Sequence, residues 1–307
     1  MLSRAAVAVC LAISLGSVAF GDIVTLDYPG AALTVAAGIN DKGQIVGSYE
    51  LPGPCPPFGG YCPGGAFLYS NGAYSTINGP GLIGWLYPNG INDAGQIVGF
   101  IGDQAVLDTN GVLTFLSAPG YPAGASGINN LGDIVGYYTT FPPGNGVKDN
   151  AFIYGGGIMS TINGLPDSVA YGINDNGQFV AFLTGQGAML YSNGASYPIS
   201  VPGSTSTIAY GINDAGEIVG SYYDQSGIHG FWDINGVYST LDVPGATQTY
   251  AYGVNNSGQI VGYYVDANGS AHGFLNTPVP EPSSILLLGS ATGLLAFAGL
   301  RRKRRAA

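Results

Sequence analysis

A ten-residue pattern recurs six times along the chain, and this repetition restricts the fold more than any other feature. The copies begin at Gly38, Gly90, Gly127, Gly172, Gly211 and Gly253, and they run from "GINDKGQIVG" in the first to "GVNNSGQIVG" in the last. A period of about 43 residues is typical of solenoids and propellers. We therefore expect one structural unit that is used six times.

Each unit carries two hairpin signals. The first is Asn-Asp-x-Gly between two apolar runs, which predicts a turn with a glycine at positive φ. The second is an Asn-Gly pair, as in "FLYSNGAYSTI" at 67–77, and it recurs at 105–116, 189–199 and 231–241, while residues 151–162 have three glycines instead. Two hairpins give four strands per unit, and no window of useful length between the chain ends shows helical spacing. This predicts an all-β fold, a six-bladed β-propeller of four-stranded repeats, with a linear β-solenoid as the alternative.

The two ends of the repeat region complement each other. The last unit stops after "AHGFL" at 271–275 and lacks the outer strand that reads "YSTLDVPGA" in the preceding unit. A matching segment, "IVTLDYPGA", lies at 23–31. We therefore predict that the N-terminal strand completes the last blade.

The first 21 residues have the pattern of a signal peptide. Arg4 precedes an apolar run, and Ala19 and Gly21 are small residues at the −3 and −1 positions of a cleavage site before Asp22. Residues 1–21 are therefore predicted to direct export through the Sec machinery and to be removed by signal peptidase.

Residues 278–307 combine three further signals. Val279, Pro280, Glu281 and Pro282 are followed by an apolar run at 285–300 and then by the basic residues Arg301, Arg302, Lys303, Arg304 and Arg305. Sixteen residues in a helix span about 24 Å, which predicts a short transmembrane helix. The basic block acts as a membrane stop that stays cytoplasmic. A plain single-pass anchor would leave the Pro-Glu-Pro element unexplained.

That combination resembles the PEP-CTERM sorting signal of Gram-negative bacteria, which is also labelled as an ice-binding protein C-terminal domain. The resemblance implies an inner-membrane precursor that an exosortase cleaves near Pro-Glu-Pro, so that the protein ends at the cell surface or outside the cell. It also implies an association with exopolysaccharide production and biofilm.

The repeat region, residues 22–277, resembles the extracellular HAF-repeat family, which is named after a His-Ala-Phe motif. The motif stands here as Gly65-Ala66-Phe67, Asn150-Ala151-Phe152, His229-Gly230-Phe231 and His272-Gly273-Phe274. The resemblance supplies no established enzymatic activity that could be carried over to this chain.

Charge and cysteine usage fit an exported protein. The chain has 18 acidic and 8 basic residues, and between the two ends the basic residues are only Lys42 and Lys148. Such an acidic body excludes nucleic acid as a partner, since it cannot neutralise phosphates. Cys55 and Cys62 lie in a Pro/Gly-rich insert and are predicted to form a local disulfide, with a reactive pair or a metal site as the alternative.

Candidate chemistry is sparse. His229 and His272 take the first motif position, where other units have Gly or Asn, which favours a strand-start contact over a ligand role, and no Ser-His-Asp set is evident. Asp266, Asn268 and Ser270 loosely match a calcium loop but lack the downstream glutamate, and calcium is the one cofactor suggested. The repeated Asn40, Asn92, Asn129, Asn174, Asn213 and Asn255 either cap their turns or ring the axis as metal ligands.

The sequence thus favours a secreted, surface-sorted, non-enzymatic repeat protein that binds or structures an exopolysaccharide matrix. The alternative is a metal-dependent hydrolase or lactonase with its site at the propeller axis. Asymmetry among the units distinguishes the two functions. An enzyme needs polar residues that are unique to one or two units and gathered at one mouth of the propeller. Most of the 21 tyrosines occupy repeating strand positions and are interpreted as packing, while tyrosines on loops could stack on the rings of a polysaccharide.

Overall fold

The computed structural model describes residues 21–53, 63–77, 86–144 and 146–278. Within these ranges the chain forms 24 β-strands and no helix, which confirms the all-β prediction. A helix long and apolar enough to cross a membrane is accordingly not found in this part of the chain.

Four sheets have four antiparallel strands each, in chain order. The first two are formed by β2 (Leu33–Ile39), β3 (Ile45–Glu50), β4 (Gly64–Ser70) and β5 (Ala73–Ile77), and by β6 (Leu86–Ile91), β7 (Ile97–Ile101), β8 (Gln104–Thr109) and β9 (Val112–Phe115). The next two are formed by β10 (Ala123–Ile128), β11 (Ile134–Thr140), β12 (Lys148–Gly155) and β13 (Ile158–Pro166), and by β14 (Ser168–Ile173), β15 (Phe179–Leu183), β16 (Gly187–Ser192) and β17 (Ala195–Pro198).

The remaining strands form one sheet with two antiparallel halves. One half contains β18 (Ser206–Ile212), β19 (Ile218–Tyr223), β20 (Ile228–Ile234) and β21 (Val237–Leu241). The other contains β22 (Gln248–Val254), β23 (Ile260–Val265), β24 (Ala271–Asn276) and β1 (Ile23–Leu26). The halves meet at a single parallel pairing between Ile228 and Gln248.

The N-terminal strand completes the last unit, as the sequence predicts. β1 pairs antiparallel with β24, with Ile23 opposite Asn276 and Leu26 opposite Gly273. The side chain of Leu26 is only 3% exposed, in a cluster with Ala36, Ile45 and Phe67 of the first unit. The strand therefore joins the last sheet and packs against the first.

Both predicted hairpin types are present. In the first type the N–H of Gly43 donates to the carbonyl of Asn40 over 3.0 Å, and Gly43 has φ of 69°. In the second, Asn71 and Gly72 both have positive φ, 51° and 79°, as a type I′ turn requires. The glycine-rich turn of the third unit likewise places Gly156 and Gly157 at positive φ.

The core lies between neighbouring sheets. Each of four units buries the phenylalanine that ends its HAF-type motif, with no exposure at all: Phe67, Phe152, Phe231 and Phe274. Each ring lies against a glycine of the adjacent strand, such as Gly47 beside Phe67, where an added Cβ would lie 2.7 Å from the ring. The repeated glycine thus makes room for the repeated ring, which explains why both recur.

Candidate functional site

The six repeated asparagines lie in one closed circle. Asn40 Oδ1 accepts the N–H groups of Lys42 and Gln44 over 3.1 and 2.9 Å, and Asn40 Nδ2 donates to the carbonyl of Asn92 over 3.0 Å. The same inter-unit bond passes on to Asn129, Asn174, Asn213 and Asn255, and Asn255 donates back to Asn40. A linear solenoid would leave the first and last units apart, so this circle excludes that alternative.

A second circle lies one residue further along each turn. The N–H of Asp41 donates to Asp93 Oδ1 over 2.9 Å, and the same kind of bond then links Asn130, Asp175, Asp214 and Asn256 in turn back to Asp41. The side-chain amides of Asn130 and Asn256 donate to further carboxylate oxygens of Asp175, Asp41 and Asp214. The carboxylates of the second circle, which lie at the end of the axis where the turns are, therefore accept hydrogen bonds from N–H groups of the neighbouring units.

These circles leave little free chemistry at the axis. Each of the six asparagines in the first circle uses its side-chain oxygen to cap its own turn, as one of the two sequence interpretations holds. Its side-chain amide links two units, which the sequence does not reveal. In the described part of the chain, no three His, Cys, Asp or Glu side chains gather as metal ligands. The cavity along the axis here, about 110 Å³, is bordered in every unit by these turn residues and by the three strand residues before them.

A circle of glycines narrows the axis just below these turns. A Cβ added to Gly38 would lie 2.9 Å from the Cα of Gly90, and one added to Gly211 would lie 3.2 Å from the Cα of Gly253. Gly253 in turn approaches the Cα of Gly38. The six inner strands thus meet backbone to backbone, and glycine is favoured there because a Cβ at four of the six positions would lie less than 3.0 Å from backbone atoms of the next unit: Gly38, Gly127, Gly172 and Gly211.

Both histidines are held between two carboxylates. His229 Nδ1 lies 2.7 Å from Asp242 Oδ2, and His229 Nε2 lies 3.4 Å from Asp224 Oδ1. In the last unit His272 Nδ1 lies 2.9 Å from Asp27 Oδ2, and Nε2 lies 3.7 Å from Asp266 Oδ2. The rings stack on Tyr222 and Tyr264, with centroids 5.1 and 5.2 Å apart. The histidines therefore tie the third strand of a unit to the segment after its outer strand.

One of these brackets has the connectivity of a Ser-His-Asp set, which sequence reasoning missed. Ser226 Oγ lies 2.9 Å from His229 Nε2, on the side opposite Asp242. However, Ser226 Oγ also lies 2.6 Å from Asp224 Oδ1, so its single proton is drawn to a carboxylate and not to the imidazole. In the matching bracket of the last unit Asn268 takes the place of the serine. A repeated bracket without a repeated nucleophile indicates a structural role.

The suggested calcium loop is a turn stabilised from within. Asp266 Oδ1 accepts the N–H groups of Asn268 and Ser270, both over 2.8 Å, and Asn268 Nδ2 donates to Asp266 Oδ2 over 3.1 Å. These backbone bonds are the leading reason that the pKa of the Asp266 carboxyl is lowered. The three residues are thus brought together, but as an Asx-type turn that needs no ion.

A larger cavity, about 320 Å³, opens at the other end of the inner strands. Its wall is asymmetric at the position before each repeated glycine, where three units place Tyr171, Tyr210 and Tyr252 and the other three place Ala37, Asn89 and Ser126. The remaining lining residues are Val35, Ser48, Tyr87, Pro88, Phe100 and Tyr137. Such a volume lies at the lower end of the range for small-molecule sites.

The cavity is uncharged and aromatic. None of the described residues that line it is an acid, a base or a cysteine. The tyrosine rings alternate in orientation, since Tyr171 and Tyr210 lie 5.2 Å apart at 80° and Tyr210 and Tyr252 lie 4.8 Å apart at 89°. Burial raises the pKa of Tyr171 to about 12 and raises the pKa of Tyr210 and Tyr252 as well, so the phenols stay neutral.

Sequence reasoning did not find this cavity. The three tyrosines belong to strands and were interpreted as packing, whereas the structure places them at one mouth of the axis. The signal that could have found them is the residue just before each Gly-Ile-Asn or Gly-Val-Asn, which varies while its neighbours repeat. This variation from unit to unit is the asymmetry that a ligand site requires.

Several predicted features lie outside the described residues. They are the signal peptide up to residue 20, Cys55 and Cys62, the sorting motif Val279, Pro280, Glu281 and Pro282, the apolar run at 285–300, and the basic residues 301–305. The disulfide and the membrane helix therefore remain predictions.

With the circle of sheets and its aromatic cavity described, the class of molecule is an exported all-β repeat protein. Residues 278–305 match the model of the PEP-CTERM protein-sorting motif. That motif indicates export, a membrane-anchored precursor and processing by an exosortase. No curated protein matches the chain.

Two solved structures are similar at low identity. Virginiamycin B lyase from Staphylococcus aureus is 11% identical, with 84% of this chain and 99% of that chain covered and a TM-score of 0.45. YCF48, solved with a D1 peptide, is 12% identical, with 85% and 96% covered and a TM-score of 0.47. A likeness at this level carries no information about activity.

Proposed function

We propose that this protein is a surface-sorted, non-enzymatic binding protein whose ligand site is the aromatic cavity of a six-bladed β-propeller. The observation that carries the proposal is the cavity itself, which is asymmetric, uncharged and lined by Tyr171, Tyr210 and Tyr252. Aromatic walls with a few polar groups are typical of small-molecule sites. Among the described residues, its lining includes no nucleophile–base pair and no carboxylate pair for catalysis.

The sorting motif supplies the setting. After export by the Sec machinery and removal of residues 1–21, the apolar run and basic stop would hold the precursor in the inner membrane until an exosortase cleaves near Pro280. The body would then act at the cell surface or outside the cell, as a binding or structural component of an exopolysaccharide matrix. The HAF-like motifs fit this extracellular role.

The alternative, a metal-dependent hydrolase with its site at the axis, has less support. The polar groups that would bind such a metal are the asparagine and aspartate circles, and these already cap turns and link units. The Asp266 turn and the two histidine brackets are likewise held by internal hydrogen bonds.

A ligand screen tests the proposal. We would measure binding of neutral glycans, acidic glycans and small aromatic compounds to the purified protein, with and without calcium. We expect saturable binding by at least one class, without turnover, that is lost in Tyr210→Ala. The matched control is Tyr197→Ala, because Tyr197 is 54% exposed on an outer strand away from the cavity. Binding by no class, or hydrolysis of a bound glycan, would contradict the proposal.

A further inference from the structure

The floor of the aromatic cavity is a constriction, through which the narrow axial cavity continues from the tyrosines to the asparagine turns. The glycine circle, described above, places six backbones in contact around the axis directly beyond Tyr171, Tyr210 and Tyr252. Six spheres in a ring of touching neighbours leave a central gap the size of one such sphere. The opening is therefore comparable to a methylene group, which a polymer chain cannot pass.

The walls favour a ring with hydroxyl groups. The rings of the three tyrosines supply surface for stacking against the apolar C–H face of a sugar. Their neutral phenols and the side chains of Ser48 and Ser126 supply both hydrogen-bond donors and acceptors. A charged ligand would lose its hydration without meeting an opposite charge among the described lining residues, which is costly.

One half of the cavity is left open by small residues. Ala37 and Ser126 occupy the positions where three other units place tyrosine. Asn89, on the same half, donates its side-chain amide to the carbonyl of Ala125 over 2.9 Å, which holds its side chain toward the neighbouring strand. Short side chains thus leave space opposite the three tyrosines at this level, and the same half also borders the cavity with Tyr87, Phe100 and Tyr137.

We propose that the cavity binds the terminal ring of a neutral saccharide and does not bind internal segments of the chain. This inference rests on the proposed function, because it takes the cavity as the ligand site. The constricted floor stops a polymer from threading through, so the cavity admits a chain end or a free monosaccharide, and the uncharged wall selects against uronic acids and sulfated sugars. Recognition of the terminal ring would let the protein bind the ends of long polysaccharides and leave their interior segments free.

The test compares chain ends with chain interiors. We would take a panel of linear neutral oligosaccharides of two to six units, with their component monosaccharides, and measure affinity by calorimetry. We expect affinity that does not rise beyond the first two units and full competition by the monosaccharide of the terminal residue. For glucose polymers, maltohexaose would be compared with α-cyclodextrin, a ring of the same six units without ends, which should not bind.

Two variants locate the binding. Ser126→Tyr copies the residue of three other units into the open half, so it should fill the space opposite the tyrosines, keep the thermal midpoint and weaken binding by at least about tenfold. Tyr252→Ala removes one ring from the wall and should weaken binding to a similar extent, with Tyr197→Ala as the control.

The outcomes separate this inference from the proposed function. No affinity for any neutral saccharide, affinity that grows steadily with chain length, or binding of α-cyclodextrin would overturn the inference. If aromatic compounds bind instead and Ser126→Tyr blocks them, the cavity is a ligand site but not a saccharide site. If no class of compound binds, the proposed function fails as well.

Discussion

One glycine position shows how closely a single residue is fitted to its unit. In four of the five Ile-Val-Gly copies, glycine lies against both the inner strand and the buried ring of the next strand, as Gly136 does with Gly124 and Phe152. The fourth unit has Ala181 there, and its partner is Met189 in place of phenylalanine. That unit also lacks the pairing that its siblings form one step further along the inner strand, between Gly127 and Val135 in the third unit.

We therefore predict that Gly136→Ala destabilises the protein by about 1–3 kcal/mol through overpacking. An added Cβ would overlap the carbonyl oxygen of Gly124 and lie 2.8 Å from the Phe152 ring. The double variant Gly136→Ala/Phe152→Met copies the fourth unit and should recover part of the loss. Denaturant unfolding measures both. Equal stability of wild type and Gly136→Ala would show that the glycine is not needed for packing.

The buried tyrosines predict a loss of stability at alkaline pH. In the unfolded chain tyrosine ionises near pH 10, whereas burial raises the pKa of Tyr171 to about 12. Above pH 10 the unfolded state therefore loses protons that the folded state keeps. The stabilisation is complete below about pH 10 and is lost as the pH rises through 12, at a cost of a few kcal/mol.

A series of thermal midpoints from pH 8 to 12 checks this, with tyrosine absorbance recorded in parallel. Tyr171→Phe should show a smaller alkaline fall, because it has no phenol to ionise. A midpoint that stays constant to pH 12, or absorbance that titrates entirely at pH 10, would contradict the prediction.

At the scale of strands, β1 is the element whose removal should matter most. It covers the edge of β24, buries Leu26 and places Asp27 beside His272. Deleting residues 23–31 exposes an unpaired strand edge and the seam between the first and last units, so we expect a large fall in the thermal midpoint or aggregation.

Asp27→Asn is the matched point variant, because it weakens the ion pair with His272 and keeps the strand. We expect only a small loss, since the pair is partly exposed. A deletion variant that melts at the wild-type temperature would show that the strand is dispensable.

Most of the strands could be predicted from the sequence, and the cavity could not. The Asn-Gly turns require positive φ at both residues, which fixes the hairpins locally. The outer strand of the last unit could be predicted because "IVTLDYPGA" matches the outer-strand segment "YSTLDVPGA" of the preceding unit. The cavity and the His272 bracket depend on residues that meet only after the circle closes, such as Asp27 and His272, 245 positions apart.

At the scale of the whole molecule, the C-terminal signal predicts a defined fate. Replacing Pro280, Glu281 and Pro282 with alanine leaves the apolar run and the basic stop intact, so export and membrane insertion should continue. Processing should fail, because the peptidase loses the extended proline backbone and the one carboxylate that it reads. The precursor should then accumulate in the inner membrane at its full mass after signal cleavage.

Thr277→Ala, just before the matched residues, serves as the control and should be processed normally. Mass spectrometry of the wild-type protein should find a chain that ends near residue 282. Surface-exposed wild-type protein that still contains residues 285–305 would contradict processing and leave a plain anchor.

The pairing of β1 with β24 also has a consequence for the order of folding during the proposed secretion. Under the proposed export, β1 is the first strand to cross the inner membrane, yet its partner strand ends at Asn276, only two residues before the matched sorting motif. The earliest strand must therefore wait, unpaired, until nearly the whole body has been translocated. Under the same proposal the apolar run would by then be entering the translocon, so the circle would close while the chain is still tethered, and an exosortase would receive a substrate that has only just finished folding.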